Sequence, residues 1–297
     1  MISTPVVSIV IVSWNTRDYL DACLTSIRDA PDEVTREIIV VDNASADGTA
    51  EMVESEHPDV KLIANDQNRG YAAGNNQGIE VARGEHVLLL NPDIVVHEGA
   101  LDTLVRFLQS HEGAGAVAPR LILPDGSVQA SCRSFPTPDV VIYEALGLSR
   151  LFPRSRRFGK YRMTWWDYND ERQVDQPMAS AILVRGEALS DVGGMDEDFP
   201  IFFNDVDFCK CLWDAGWEIW FTPEASMDHV GGAATRQVRR RMLAESHRSF
   251  VKFYQKHYRG AIAWWKYYGA VALLRAGYGV RVLAHGIRHL SGVSEGA

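Results

Sequence analysis

The chain has 297 residues and a formal charge of −9, with 46% apolar and 23% charged residues. That length holds one large α/β domain with an appendage, or two small domains, and the composition excludes a disordered or fibrous chain. The four cysteines, Cys23, Cys132, Cys209 and Cys211, are too scattered for a disulfide scaffold and form no Cys-x-x-Cys pair, so a reducing, cytoplasmic setting is expected. Residues 1–5 carry no basic leader, Val6–Val12 is too short for a signal core, and no apolar run approaches the ~18 residues of a membrane span.

In chain order, Val6–Val12 reads as a buried strand and Asp18–Arg28 as a helix. Glu37–Val41 is a second strand and Asp47–Glu56 a helix; Val60–Ala64 a third strand and Tyr71–Arg83 a helix; His86–Leu90 a fourth strand and Gly99–Ser110 a helix. β-Branched runs alternating with helices predict a parallel sheet covered on both faces. The rhythm then fades. Pro124-Asp125-Gly126 marks a turn, 133–172 reads as a long loop, and pattern returns as a strand at 178–184, a helix at 205–215 and a strand at 217–221.

Charge is uneven. From Arg236 to Ala297 there are 12 Lys and Arg against two acids, leaving −19 for residues 1–235. Two readings of this tail stand side by side: a helical extension packed on the body, or a helix on an anionic membrane with Trp264, Trp265, Tyr267 and Tyr268 at headgroup depth. Nucleic acid is not expected as a partner, because the acidic body repels a phosphate backbone.

In parallel α/β sheets ligands bind beyond the carboxyl ends of the strands, which directs attention to Ser13-Trp14-Asn15, Asp42-Asn43, Asn65–Gly70 and Asn91-Pro92-Asp93. A desolvated carboxylate there needs a partner. Asp47 suits the cap of the second helix, which leaves Asp42 available to accept from the imide N–H of uracil or thymine. Asp93 offers the hard oxygen that a divalent cation bridging a diphosphate prefers.

Six segments in order then resemble the family 2 glycosyltransferases of GT-A fold: Val7–Asn15, Val40–Thr49, Asn68–Asn76, Asn91-Pro92-Asp93, Asn204–Cys209 and His229–Gly232. Asn-Pro-Asp in place of Asp-x-Asp is similar to the rhamnosyltransferase-like branch. The resemblance implies a GT-A domain over 1–235, with a nucleotide-binding half (1–120) and an acceptor-binding half (121–235), followed by the helical tail 236–297. It implies that Asp42 reads the base beside Ser13 and Asn15, that Arg69, Gly70, Asn76 and Asn91 lie along ribose and diphosphate, that Asp93 and His229 hold Mg2+ or Mn2+, and that Asp205 is the catalytic base. The implied reaction is inverting transfer, of rhamnose from dTDP-rhamnose or of a UDP-sugar, to a glycan or lipid-linked acceptor.

This sequence departs from the family pattern in three places. Asn91 replaces the first Asp of Asp-x-Asp, so one carboxylate is missing. Asn204 replaces the Glu of Glu-Asp. Arg241 stands where processive synthases have the Trp of Gln-x-x-Arg-Trp, so a processive synthase is not expected. On the acceptor side, Trp165 and Trp166, with Tyr161 and Tyr168, either stack on a sugar or pack in a core. Asp196 reads as part of an acceptor loop, and Asp207 as a catalytic neighbour or a cap. The competing readings are a nucleotidyltransferase, a dehydrogenase (which lacks its Gly-x-Gly-x-x-Gly after the first strand) and a catalytically degenerate sugar-nucleotide scaffold.

Overall fold

The computed structural model describes residues 5–231 and 239–290, with side chains in the latter stretch described over 245–277. The chain runs β1 (Val7–Ser13), α1 (Arg17–Asp29), β2 (Arg36–Asp42), α2 (Thr49–Glu56), β3 (Lys61–Ala64), α3 (Tyr71–Val81), β4 (His86–Leu90), β5 (Ile94–Val96), α4 (Ala100–Ser110) and β6 (Ala114–Ile122). It continues through β7 (Cys132–Arg133), α5 (Pro138–Ala145), α6 (Leu148–Leu151), β8 (Arg172–Gln173), β9 (Gln176–Pro177), β10 (Ala181–Arg185), α7 (Gly186–Val192), α8 (Asn204–Asp214) and β11 (Glu218–His229). Helices α9 (Arg239–His257) and α10 (Trp264–Leu290) follow.

A nine-stranded α/β sheet flanked by helices dominates, in the order β3-β2-β1-β4-β10-β6-β11-β5, with β8 beside β11. Its first four strands are parallel, as their β-branched runs predict, and β1 and β4 are buried along their whole length. Strand β10 enters antiparallel between β4 and β6, and β11 runs parallel to β6. The register aligns Ser13 with Asp42 and Asp42 with Ala64, and Ile11 with Leu90. The carboxyl ends of all four parallel strands therefore share one sheet edge.

Three features depart from the sequence reading. Strand β6 and the three-residue β5 escape it, because Ala114-Gly115-Ala116 carries small side chains and β5 is too short to show a period. The strand expected at 217–221 continues to His229 across an irregularity between Thr222 and Ser226, where Pro223 reads as a break. The segment expected as a loop over 133–172 contains α5 and α6.

The chain divides into two compact units: Met1–Phe135 with Trp166–Arg239, and Pro136–Trp165 with Arg240–Ala297. The boundary placed at 235 in the sequence reading lies outside the described residues. In the second unit α10 packs along α5, and the Tyr254 hydroxyl donates to the Pro136 carbonyl at 2.6 Å.

Helix α3 reaches β1 because its inner face is small. A Cβ at Gly78 would stand 2.3 Å from Val10 Cγ1, and one at Gly74 2.8 Å from Val12 Cγ1. Gly78→Ala should lower stability by about 1–3 kcal/mol, overpacking outweighing the ~1 kcal/mol gain in helix propensity. Urea unfolding reads the loss, and Val10→Ala in the same chain should recover part of it.

Candidate active site

Two strand ends meet at the centre of the site. Strand β11 pairs antiparallel with β5, His229 opposite Ile94, and the Val230 N–H donates to the Asp93 carbonyl at 3.1 Å. That pairing sets His229 Nε2 3.4 Å from Asp93 Oδ1, both side chains almost fully buried. His229 Nδ1 lies 2.7 Å from Gln129 Oε1. A carboxamide oxygen only accepts, so Nδ1 carries a proton, and in the neutral imidazole Nε2 presents a lone pair. Nε2 has no hydrogen-bond partner among the described residues. Two buried lone-pair atoms facing one another are repulsive unless a proton or cation joins them. The donor set, one carboxylate oxygen and one neutral imidazole fixed by a carboxamide behind it, fits a divalent cation.

Asp205 occupies the first turn of α8. The residue just before the helix, Phe203, has φ +68, an unfavourable backbone for a bulky residue and a form of strain that gathers at functional sites. The Asp205 carboxylate is half-buried. Desolvation pushes its pKa above the usual carboxylate range, while N–H groups of Val206 (2.8 Å) and Ala179 pull the other way.

Tyr71, which sequence reasoning missed, joins the two halves of the site. Burial raises its phenol pKa, and the charges of Asp205 and Asp93 both raise it further, so the side chain lies within electrostatic reach of both carboxylates. Its hydroxyl donates to the Ala179 carbonyl at 2.7 Å. The next residue, Ser180, accepts the Asn91 N–H at 2.8 Å and, through Oγ, the Asn91 amide at 3.3 Å. Ala179-Ser180 thus links Asp205, Tyr71 and the Asn91–Asp93 turn through main-chain groups. No side-chain pattern announces such a link.

At the neighbouring strand ends Asp42 is buried. Its Oδ2 accepts the Ser45 N–H at 3.1 Å, and Oδ1 has no partner among the described residues. Ser13 bonds Thr16 at 2.8 Å, and Asn15 ties the two loops by accepting the Ala46 N–H and donating its own N–H to Ser45 Oγ, each at 2.8 Å. Both positions therefore shape the loops around Asp42. Asp47 is not the cap expected of it: Gly48, with φ +82, caps α2, and Asp47 just before it accepts the Thr49 and Arg17 N–H groups.

Gly70 (φ +90) opens α3 so close to Pro200 that a Cβ would stand 2.9 Å from its carbonyl oxygen. Arg69 is exposed, and its guanidinium forms no ion pair among the described residues. The Asn76 amide is engaged on the loop beyond α7, donating to the Met195 carbonyl and Glu197 and accepting the Met195 N–H. Asp196 closes that same loop by accepting the Asp198 N–H at 3.0 Å. Asp207 is buried on α8, 4.0 Å from Cys211 Sγ. Trp166 stacks on Tyr168 at 4.0 Å, meets Phe221 edge-on and donates to Asp170. Its rings fill the core, so it is not an acceptor-stacking surface. Trp165 belongs to the second unit, with the Arg156 guanidinium 4.9 Å from its ring.

The Glycosyl transferase family 2 model matches residues 8–169. The chain is a family 2 glycosyltransferase. This transferase is 30% identical over 89% of its length to the N-acetylglucosaminyl-diphospho-decaprenol L-rhamnosyltransferase of Mycobacterium tuberculosis, spanning 87% of that protein. It is 29% identical over 75% of its length to the pre-mycofactocin glycosyltransferase of the same organism, spanning 42% of it. A Pyrobaculum calidifontis mannosyltransferase solved with GDP-mannose and Mn2+ superposes with TM-score 0.59 at 17% identity, over 99% of this chain and 77% of that one. GalNAc-T7, solved with UDP, GalNAc and Mn2+, gives 0.57 at 15%, over 77% of this chain and 44% of its own. The fold of the glycosyltransferase is GT-A.

The raised pKa of Asp205 has a sign that stability measurements can read. The native state holds this proton to higher pH than the unfolded chain, so stability falls as pH climbs through that interval. Asp205→Asn should remove this loss, its advantage over the parent growing as pH rises above the ordinary carboxylate range in denaturant titrations. Parallel pH–stability curves for the two proteins would contradict the assignment.

Proposed function

We propose that this glycosyltransferase moves rhamnose from dTDP-rhamnose to a hydroxyl of a lipid-linked saccharide, with inversion, in polysaccharide or glycolipid synthesis. The observation that carries the reading is the buried Asp93–His229 pair, with an imidazole nitrogen that has no hydrogen-bond partner among the described residues. Asp93 and His229 would hold a Mg2+ or Mn2+ ion, which supplies electrostatic stabilisation for the negative charge growing on the departing diphosphate. The cations in the two solved neighbours support this. The finer substrate identity is supported by the mycobacterial rhamnosyltransferase, matched along most of both chains.

The remaining roles belong to the chain's own residues. Asp42 Oδ1 accepts the imide N–H shared by thymine and uracil, which makes a UDP-sugar the second donor class. Arg69 meets diphosphate oxygens. Asp205 takes the proton of the acceptor hydroxyl as that oxygen attacks, and its raised pKa suits a general base. One base opposite the leaving group gives a single in-line displacement, inverting the anomeric carbon. The basic segment 236–297 makes peripheral contact with an anionic membrane that carries the acceptor. No described helix is long and apolar enough to cross a membrane.

A thermal-shift series with dTDP-, UDP- and GDP-sugars, with and without Mg2+ or Mn2+, tests the donor. dTDP-rhamnose with metal should raise Tm most, and strongest stabilisation by a GDP-sugar would overturn the base assignment. Asp42→Ala should weaken dTDP binding roughly 10–100-fold, the range for loss of a charged hydrogen-bond partner.

Gln129→Leu should lower Mn2+ affinity by about 10–100-fold, the usual effect of losing the group behind a ligating imidazole. Titration calorimetry of Mn2+ against the dTDP complex reads this change. His229→Ala should remove the binding altogether.

A further inference from the structure

We propose that the second unit docks on an anionic bilayer through two separate chain segments, 142–160 and 264–275, rather than through the C-terminal segment alone. The proposal deepens the membrane contact above and rests on that reading.

Ten large apolar side chains are exposed in the described structure, and eight of them belong to this unit. Four come from the first segment: Ile142, Leu146, Leu151 and Phe152. The other four, Trp264, Trp265, Tyr268 and Leu273, come from α10. Leu151 is 69% exposed and Trp264 74%. Scattered apolar residues on a surface are ordinary, but a cluster confined to one unit marks an interaction surface.

Charge identifies the partner. The second unit has 16 Lys and Arg against four Asp and Glu, leaving 14 against 35 for the rest of the chain. Among its described residues Arg162 pairs with Glu144 and Arg248 with Glu245. Two further cations lie beside aromatic rings. The Lys266 ammonium lies 5.4 Å from the Trp265 ring and the Arg157 guanidinium 5.7 Å from the Phe158 ring, and Phe158 is in turn 5.5 Å from Phe152. Aromatic and aliphatic groups interleaved with an excess of cations match the headgroup boundary of a bilayer, where rings settle at the interface and Lys and Arg meet lipid phosphate. Exposed Leu146 and Leu151 have no role in stacking on nucleic-acid bases, which argues for lipid.

The two segments are joined by structure. Helix α10 packs along α5 and buries Tyr267, Ala270 and Val271, leaving Trp264 and Tyr268 exposed. One folded unit therefore carries both apolar groups.

The test is co-sedimentation of the full chain with phosphatidylcholine vesicles, with and without phosphatidylglycerol. The parent should pellet with the anionic vesicles and be released by 0.5 M salt, a concentration above which screening is strong. Arg150→Gln, Arg154→Gln and Lys160→Gln together should cut partitioning on the order of 100-fold, at about one lipid-facing charge each. The pair Leu151→Ser and Phe152→Ser should weaken it at least tenfold by a route independent of charge. Transfer to a soluble acceptor should be unchanged in both sets.

Parent-like binding by both sets, with loss on Trp264→Ser and Trp265→Ser, would leave the C-terminal segment as the sole contact and overturn the proposal. Absence of anionic-vesicle binding by the parent would overturn it too, as would RNA binding in place of vesicle binding. Self-association in sedimentation velocity that the same variants abolish would make a second copy the occupant instead. Vesicle binding without stabilisation by any sugar nucleotide would sink the donor reading and leave this surface standing. The converse result separates the two in the other direction.

Discussion

The site depends on one strand pairing. Asp93 and His229 are far apart in sequence, and they become neighbours only because the last turn of β11 pairs with the short β5. Burial of both groups makes that proximity consequential. In water a carboxylate and an imidazole at 3.4 Å would scarcely influence one another, whereas away from solvent each needs the other's charge state to be settled. Gln129 settles one side of the matter by fixing the imidazole proton on Nδ1. What remains is Nε2 facing a carboxylate oxygen at one buried point.

The rest of the site is arranged around this point by main-chain contacts. Ala179 takes the Tyr71 hydroxyl on its carbonyl and gives its N–H to Asp205, while Ser180 holds Asn91. Asn91 thus gains a structural partner where the family pattern has a carboxylate. Non-glycine residues with positive φ stand at three of the loops involved, Asn15, Ala44 and Phe203. Strain of this kind persists only where surrounding bonds over-determine the backbone, and Asn15 carries two such bonds to the β2–α2 loop.

Legibility in the sequence followed side-chain periodicity. Strands β1, β2 and β4 are largely buried, β-branched or leucine-rich runs, and α1 and α4 carry plain amphipathic spacing, so the parallel half was readable to within a few residues. Strand β6 begins with alanines and a glycine, and β11 crosses a proline, so neither showed a clean period. Asp42, Asp93, Asp205 and His229 could be singled out because carboxylates at strand ends, together with the ordered family motifs, draw attention to themselves. Tyr71, Gln129 and Ala179-Ser180 could not. Their contributions are a buried hydroxyl, a carboxamide and two peptide groups, which any sequence supplies in abundance. Trp166 misled in the opposite way: an aromatic residue in an irregular stretch looks like a binding surface until its ring is found stacked on Tyr168.

The discontinuity of the second unit bears on how the polypeptide acquires its structure. Helices α5 and α6 leave the ribosome before β10, α8 and β11, and well before α10, the helix on which α5 packs. Until the C-terminal helices emerge, this early segment must wait, with its apolar side chains uncovered, while the sheet is completed. A nascent chain of this design is therefore most vulnerable to off-pathway association late in synthesis, after its catalytic framework is in place.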